Sequence, residues 1–167
     1  MDRFMVAVAK ETLAFSAAHF LTLPGHICER LHGHNYRLSA RVWGPASPTT
    51  GFVVDFAELK GTLRALVERL DHRVLIPARC GDLVLREEGD RLLIDYLRPE
   101  WLVVPRSHAC LLPVTHTTAE RLAEYLAGET WAVLTRGGGS TLEALELDVE
   151  ESAGQSATFR IAANRTA

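Results

Sequence analysis

Residues 28–36 read CERLHGHNY, which places a thiol, a carboxylate and two imidazoles close together. Imidazole nitrogens ligate borderline metals, thiolates take protons, and carboxylates can do both. The stretch is therefore either a polar loop or a metal site with its own base. His32 and His34 are separated by one glycine, and in a strand such a pair points both rings to the same side. The parity that groups Tyr36, Leu38, Ala40 and Val42 on an apolar face also includes His32 and His34. Upstream, Phe15, Ala17 and His19 share parity, so His19 faces its apolar neighbours. Three neutral histidines from two adjacent strands, with a fourth position open, describe a catalytic zinc site. The same nitrogen donors leave iron, nickel and copper open.

Single buried histidines are most often hydrogen-bonded core residues, and His-x-His also occurs on cupin-type barrels. The pair alone therefore names no family. His26, His108 and His116 lack parity support and read as loop histidines. Cys28 lies four residues before His32, close enough for the mouth of the same pocket, where a nearby cation would favour its thiolate. Cys80 and Cys110 read as small buried residues. Asp71 and His72 follow a helix and form either an acid–imidazole relay or a polar helix end. In the last part of the chain Leu145, Leu147 and Val149 alternate inward, so Glu151 also points inward, whereas Glu146, Asp148 and Glu150 face solvent. An inward carboxylate needs a partner that donates hydrogen bonds, such as a ligand amide or amidine, or an arginine.

These groups need elements to hold them. YRLSARVW alternates as a half-buried strand, GPASPTTG turns, and FVV is expected to return as the second arm of a hairpin. Asp55 caps a helix of about four turns, with Glu58 three residues on and Phe56, Leu59, Leu63, Leu66, Val67 and Leu70 as its apolar stripe. Thr117 or Thr118 caps a second helix with Ala119, Leu122, Ala123 and Leu126 inward. LEALELDVEE and SATFRIAA read as a closing pair of strands. Between the helices, residues 79–113 form an insertion, with a hairpin turning at Glu88-Gly89 and a further strand at EWLVVP. The order points to an α+β fold with an antiparallel sheet. TRGGGS at 135–140 reads as a flexible loop.

At 167 residues and a net charge of −3, the chain reads as one globular domain, 1–167, with no charge signature for nucleic acid. No apolar run reaches the roughly 20 residues of a membrane span. The opening MDRFMVAVAKETLAF lacks the layout of a signal peptide. Three widely spaced cysteines argue against a disulfide framework and for a cytoplasmic setting.

FSAAHF, CERLHGHNY, GFVVDFAELK, LDHRVL, TTAERLAEYL and DVEES occur in this order. Together they resemble the 6-pyruvoyl-tetrahydropterin synthase and 6-carboxytetrahydropterin synthase family, over most of residues 10–72 and 114–161. The resemblance implies a tunnelling fold: an antiparallel four-stranded sheet with two helices on one face. It further implies a homotrimer or a homohexamer of two stacked trimers, with sites between subunits. His19, His32 and His34 would bind Zn²⁺. Cys28 would abstract a proton, linked to Asp71 and His72, which can come from a neighbouring subunit. Glu151 and Thr118 would hold the amino-pyrimidinone edge of a pterin. The substrate would be 7,8-dihydroneopterin triphosphate, and the product 6-carboxy-5,6,7,8-tetrahydropterin on the 7-deazaguanine (queuosine) route. Glu29 adds a complication. One branch of the family uses a glutamate at that place to make 6-hydroxymethyl-dihydropterin for folate. The resemblance is equally compatible with 6-pyruvoyl-tetrahydropterin synthase activity, or with a pterin-binding or assembly protein that has no turnover.

Overall fold

The computed structural model describes residues 2–136 and 141–163. Most of the TRGGGS segment lies outside the described residues. Eleven segments carry the fold. They are β1 (Arg3–His19), β2 (His32–Pro45), α1 (Phe56–Leu70), β3 (Arg73–Pro77), β4 (Val84–Glu88), β5 (Arg91–Tyr96), β6 (Arg98–Pro105), β7 (Ala109–Leu112), α2 (Ala119–Leu134), β8 (Ala144–Ser152) and β9 (Gln155–Ala162).

The main sheet has the order β7-β3-β1-β2-β8-β9. Its pairings from β1 through β9 are antiparallel, while β3 joins β1, and β7 joins β3, in parallel. The sheet is therefore six-stranded and mixed rather than four-stranded and antiparallel. The expected four strands make up its antiparallel part. The two extra strands come from the segment after α1, and β7 lies within the stretch that reads from sequence as insertion. The insertion proper is a separate antiparallel sheet, β4-β5-β6. Its first turn falls where Gly89 takes a left-handed φ of 61°, which a glycine adopts without strain.

FVV does not form a strand. β2 already has β1 on one side and β8 on the other, so no free edge remains for a second hairpin arm. Val53 and Val54 instead pack onto the core as the chain runs into α1. The Asp55 carboxylate accepts the Ala57 N–H at 2.7 Å and so caps that helix. Leu59, Leu63, Leu66, Val67 and Leu70 are buried, but Phe56, the first residue of the expected stripe, is 51% exposed. Thr118 caps α2 by accepting the Arg121 N–H, and Leu122, Ala123 and Leu126 are buried beneath it.

Both helices bury their stripes against the inward residues of β1, β2 and β8, including Phe15, Tyr36, Leu38, Leu147 and Val149, in one continuous core. Burying each leucine contributes about 1.5–3 kcal/mol before entropy is counted. A second core joins the insertion to the main sheet: Phe20, Ile76, Leu92, Ile94, Val104 and Ala109. Phe20 follows His19 directly and packs on Trp101 with ring centroids 4.8 Å apart. Among the described residues no helix is long and apolar enough to cross a membrane.

Candidate active site

β1 and β2 run antiparallel with His19 opposite His32 and Ala17 opposite His34. This register brings the three inward imidazoles together, and their ligand atoms lie within 4.8 Å of one another. Gly33, between the two β2 histidines, sits against the β1 backbone. A Cβ there would lie 3.1 Å from the Ala17 carbonyl oxygen, so the glycine lets the two strands approach closely beside the ligands.

Each of two ring orientations is fixed by a backbone carbonyl. His19 Nδ1 donates to Thr117 O at 2.8 Å, and His32 Nδ1 donates to Arg30 O at 2.6 Å. A carbonyl can only accept, so each ring keeps its proton on Nδ1 and offers Nε2. His19 is buried, and its Nε2 has no hydrogen-bond partner. Burial pushes its pKa down to about 4, against the Thr117 carbonyl, which favours the proton, while His32 and His34 lower it further. A neutral imidazole with an orphaned lone pair, facing two more imidazoles, is the donor set of a metal ligand. These three histidines could hold a metal ion.

Glu151 reaches the same place. Its Oε1 lies 3.4 Å from His19 Nε2 and 3.5 Å from His34 Nε2, and it accepts the Tyr36 O–H at 3.3 Å. Burial, and then the Glu151 charge, push the Tyr36 phenol far up, so it stays a donor. The three histidines, Glu151, Cys28 and Thr118 line one cavity of about 760 Å³. Its floor is β-sheet, and its walls are the N-terminal end of α2 and the 21–31 loop. In that loop Leu21 N–H bonds to Cys28 O at 2.8 Å, and His26 Nδ1 accepts the Cys28 N–H at 3.1 Å.

Glu29 does not line this cavity. Its carboxylate takes the Gly25 N–H at 2.8 Å. It faces the insertion, where its charge adds to the burial that raises the Tyr96 phenol. Asp71 and His72 do form a pair, with His72 Nδ1 2.9 Å from Asp71 Oδ2. The Ser16 N–H, bonded to Asp71 Oδ1 at 2.8 Å, is the main cause holding that carboxyl below its usual range, with His72 adding to it. His72 lines a different cavity of about 460 Å³, with Ser16, Ala18, Gly33, Asn35 and His108. These include outward residues of β1 and β2. Within one chain the relay pair and Cys28 therefore stand on opposite faces of the sheet.

Strand parity alone brings together the three histidines and Glu151, and proximity in sequence adds Cys28. It leaves His108 as a bystander, and it gives Tyr36 a place on the inward face but no contact. The Thr117 and Arg30 carbonyls are backbone groups and leave no trace in residue type.

The fold and this cavity fit a lyase-type class of pterin enzymes. The family model of 6-pyruvoyl tetrahydropterin synthase matches residues 8–162, and the chain belongs to that family. Over 149 residues it is 32% identical to a Methanocaldococcus jannaschii protein provisionally named 6-carboxy-5,6,7,8-tetrahydropterin synthase, covering 89% of this chain and 90% of that one. A Haemophilus influenzae 6-carboxy-5,6,7,8-tetrahydropterin synthase is 26% identical over 126 residues, 73% of this chain and 79% of that one. The crystal structure of Plasmodium vivax 6-pyruvoyl tetrahydropterin synthase aligns with a TM-score of 0.88 at 27% identity, covering 98% of this chain and 100% of that one. Two further structures of that protein carry alanine or cysteine in place of a glutamate described as a catalytic residue.

Proposed function

We propose that this chain is a zinc-dependent lyase that converts 7,8-dihydroneopterin triphosphate to 6-carboxy-5,6,7,8-tetrahydropterin, a step toward 7-deazaguanines such as queuosine. One observation carries this choice within the family. Cys28 lines the cavity of the three histidines, while its neighbour Glu29 is turned out of it and tied to Gly25.

His19, His32 and His34 would hold the zinc. When bound, zinc supplies a Lewis acid that polarises oxygens of the substrate side chain and acidifies the adjacent C–H. Cys28, at the rim, takes that proton as a thiolate. Glu151 accepts hydrogen bonds from the amino-pyrimidinone edge of the pterin, a donor-rich edge suited to a carboxylate, with Thr118 beside it. Triphosphate leaves by elimination, and side-chain cleavage releases acetaldehyde. The placement of Asp71 and His72 on the far face of the sheet supports their serving a neighbouring subunit's cavity. A homotrimer, or a hexamer of two trimers, with shared sites accommodates this.

A second reading has one observation in its favour. The P. vivax enzyme, so similar in fold, is described with a catalytic glutamate. If Glu29 plays that part here, it must leave the Gly25 N–H and enter the cavity, and the product becomes 6-hydroxymethyl-dihydropterin. Paired substitutions separate the readings. Cys28→Ala is expected to lower kcat by about 10²–10⁴ with pterin binding retained, and Glu29→Gln to stay within a few-fold of the parent. Full activity in Cys28→Ala would transfer the base to Glu29.

A further inference from the structure

The contact between His19 and Glu151 has a chemical problem. His19 Nδ1 carries the proton that bonds Thr117 O, so Nε2 presents a lone pair. A carboxylate presents lone pairs too. Two acceptors that face each other at 3.4 Å repel unless a positive centre stands between them. His34 Nε2 meets the same carboxylate oxygen at 3.5 Å. Donors bound at roughly 2.0–2.1 Å around a tetrahedral zinc lie about 3.3 Å apart. Glu151 Oε1 is thus spaced from His19 and His34 as ligands of one ion are spaced.

The backbone directs Glu151 to this place. In the β8–β9 ladder Glu150 pairs with Ser156 and Ser152 pairs with Gln155, leaving Glu151 as the extra residue of a bulge. Bulges next to active sites commonly re-aim one side chain. The buried Tyr36 hydroxyl then fixes the carboxylate by donating to the same oxygen. Glu151 nevertheless remains about a quarter exposed and lines the substrate cavity, so a bound molecule can reach it.

We propose that Glu151 closes the fourth coordination position of the metal while the cavity is empty, and that a pterin ring opens that position by drawing the carboxylate onto its own N–H edge. The inference rests on the metal and pterin reading above and adds a coupling to it. Recognition of the ring at one end of the cavity frees the metal for the side chain at the other. Until then the metal is shielded from water.

The test uses metal binding rather than turnover. Zn²⁺ and Co²⁺ are titrated into metal-free wild type, Glu151→Gln and His32→Ala without any pterin. Glu151→Gln should bind about 10–100-fold more weakly than wild type, as loss of a supporting group around a metal does, with its circular dichroism unchanged. A second measurement needs no variant. Unsubstituted pterin, which has no side chain to reach the metal, is added to the Co²⁺-loaded wild type. The visible cobalt bands should change as one ligand leaves. Equal affinity in Glu151→Gln, or cobalt bands indifferent to bound pterin, overturns the proposal while His32→Ala still loses metal. If His32→Ala binds metal as tightly as wild type, the metal reading itself has failed.

Discussion

At His19 the two ring nitrogens do different work: Nδ1 holds Thr117 O, and Nε2 faces the cluster. This predicts a pH dependence of the metal-free protein. The folded pKa is about 4, below the ordinary value of 6.5. As the pH falls, the unfolded chain therefore takes up the proton first. His19's contribution is whole above pH 6.5 and is lost progressively down to pH 4, by up to about 3 kcal/mol. Denaturant midpoints of the apo-protein should fall between pH 7 and pH 4.5, and His19→Gln should flatten much of that slope. An unchanged slope would mean that His19 is not held neutral by burial. At this scale the sequence is informative wherever side-chain direction is the question. Period-two parity yields the inward set His19, His32, His34 and Glu151, because a strand leaves no other choice. Glu29 is not legible in that way. It lies in a short 3₁₀ turn, Ile27–Glu29, where no parity applies, and its orientation depends on one hydrogen bond to a backbone N–H.

At the level of elements, the close approach of β1 and β2 makes the site possible. Gly33→Ala would press a methyl group onto the Ala17 carbonyl, and only a shift of β1 relieves it. The expected outcome is about tenfold weaker zinc binding with little change in helix content, measured by competition with a chelating dye. An unchanged affinity would show that the strands have room to spare. The insertion matters through Phe20, which sits in the second core directly after a ligand. Phe20→Ala should cost about 3–5 kcal/mol, read from denaturant unfolding. A loss below about 1 kcal/mol would mean that the β4-β5-β6 sheet contributes little to the main body. The helices and their caps are readable because Asp55 and Thr118 stand directly before strong apolar stripes. The expected return strand FVV misleads because apolar residues after a turn look alike whether they pair in a sheet or pack beneath one. The strands β3 and β7 escape the pattern for a related reason. They are short, and their parallel partners are far apart in sequence.

For the whole molecule, the group missing from beside Cys28 is the relay. Asp71 and His72 are bonded to each other, yet they stand across the sheet from the cavity that holds Cys28. A single chain cannot complete the proposed machinery. Composition and periodicity cannot reveal this, because it depends on which face of a sheet each residue leaves. The shared-site reading predicts complementation. Cys28→Ala and His72→Ala should each be inactive alone. Mixed and reassembled in equal amounts, they should recover about a quarter of wild-type activity, since one site in four would draw both groups intact from two different subunits. No recovery, with mixed oligomers verified by mass, would place the whole reaction within one chain. The most direct test of the central claim is the identity of the product. Zinc-loaded protein is incubated with 7,8-dihydroneopterin triphosphate, and the pterin and any aldehyde are identified by mass spectrometry. The account predicts 6-carboxy-5,6,7,8-tetrahydropterin, with acetaldehyde and triphosphate released in equal amounts. Formation of 6-hydroxymethyl-dihydropterin, or no conversion at all by the metal-loaded protein, would contradict it.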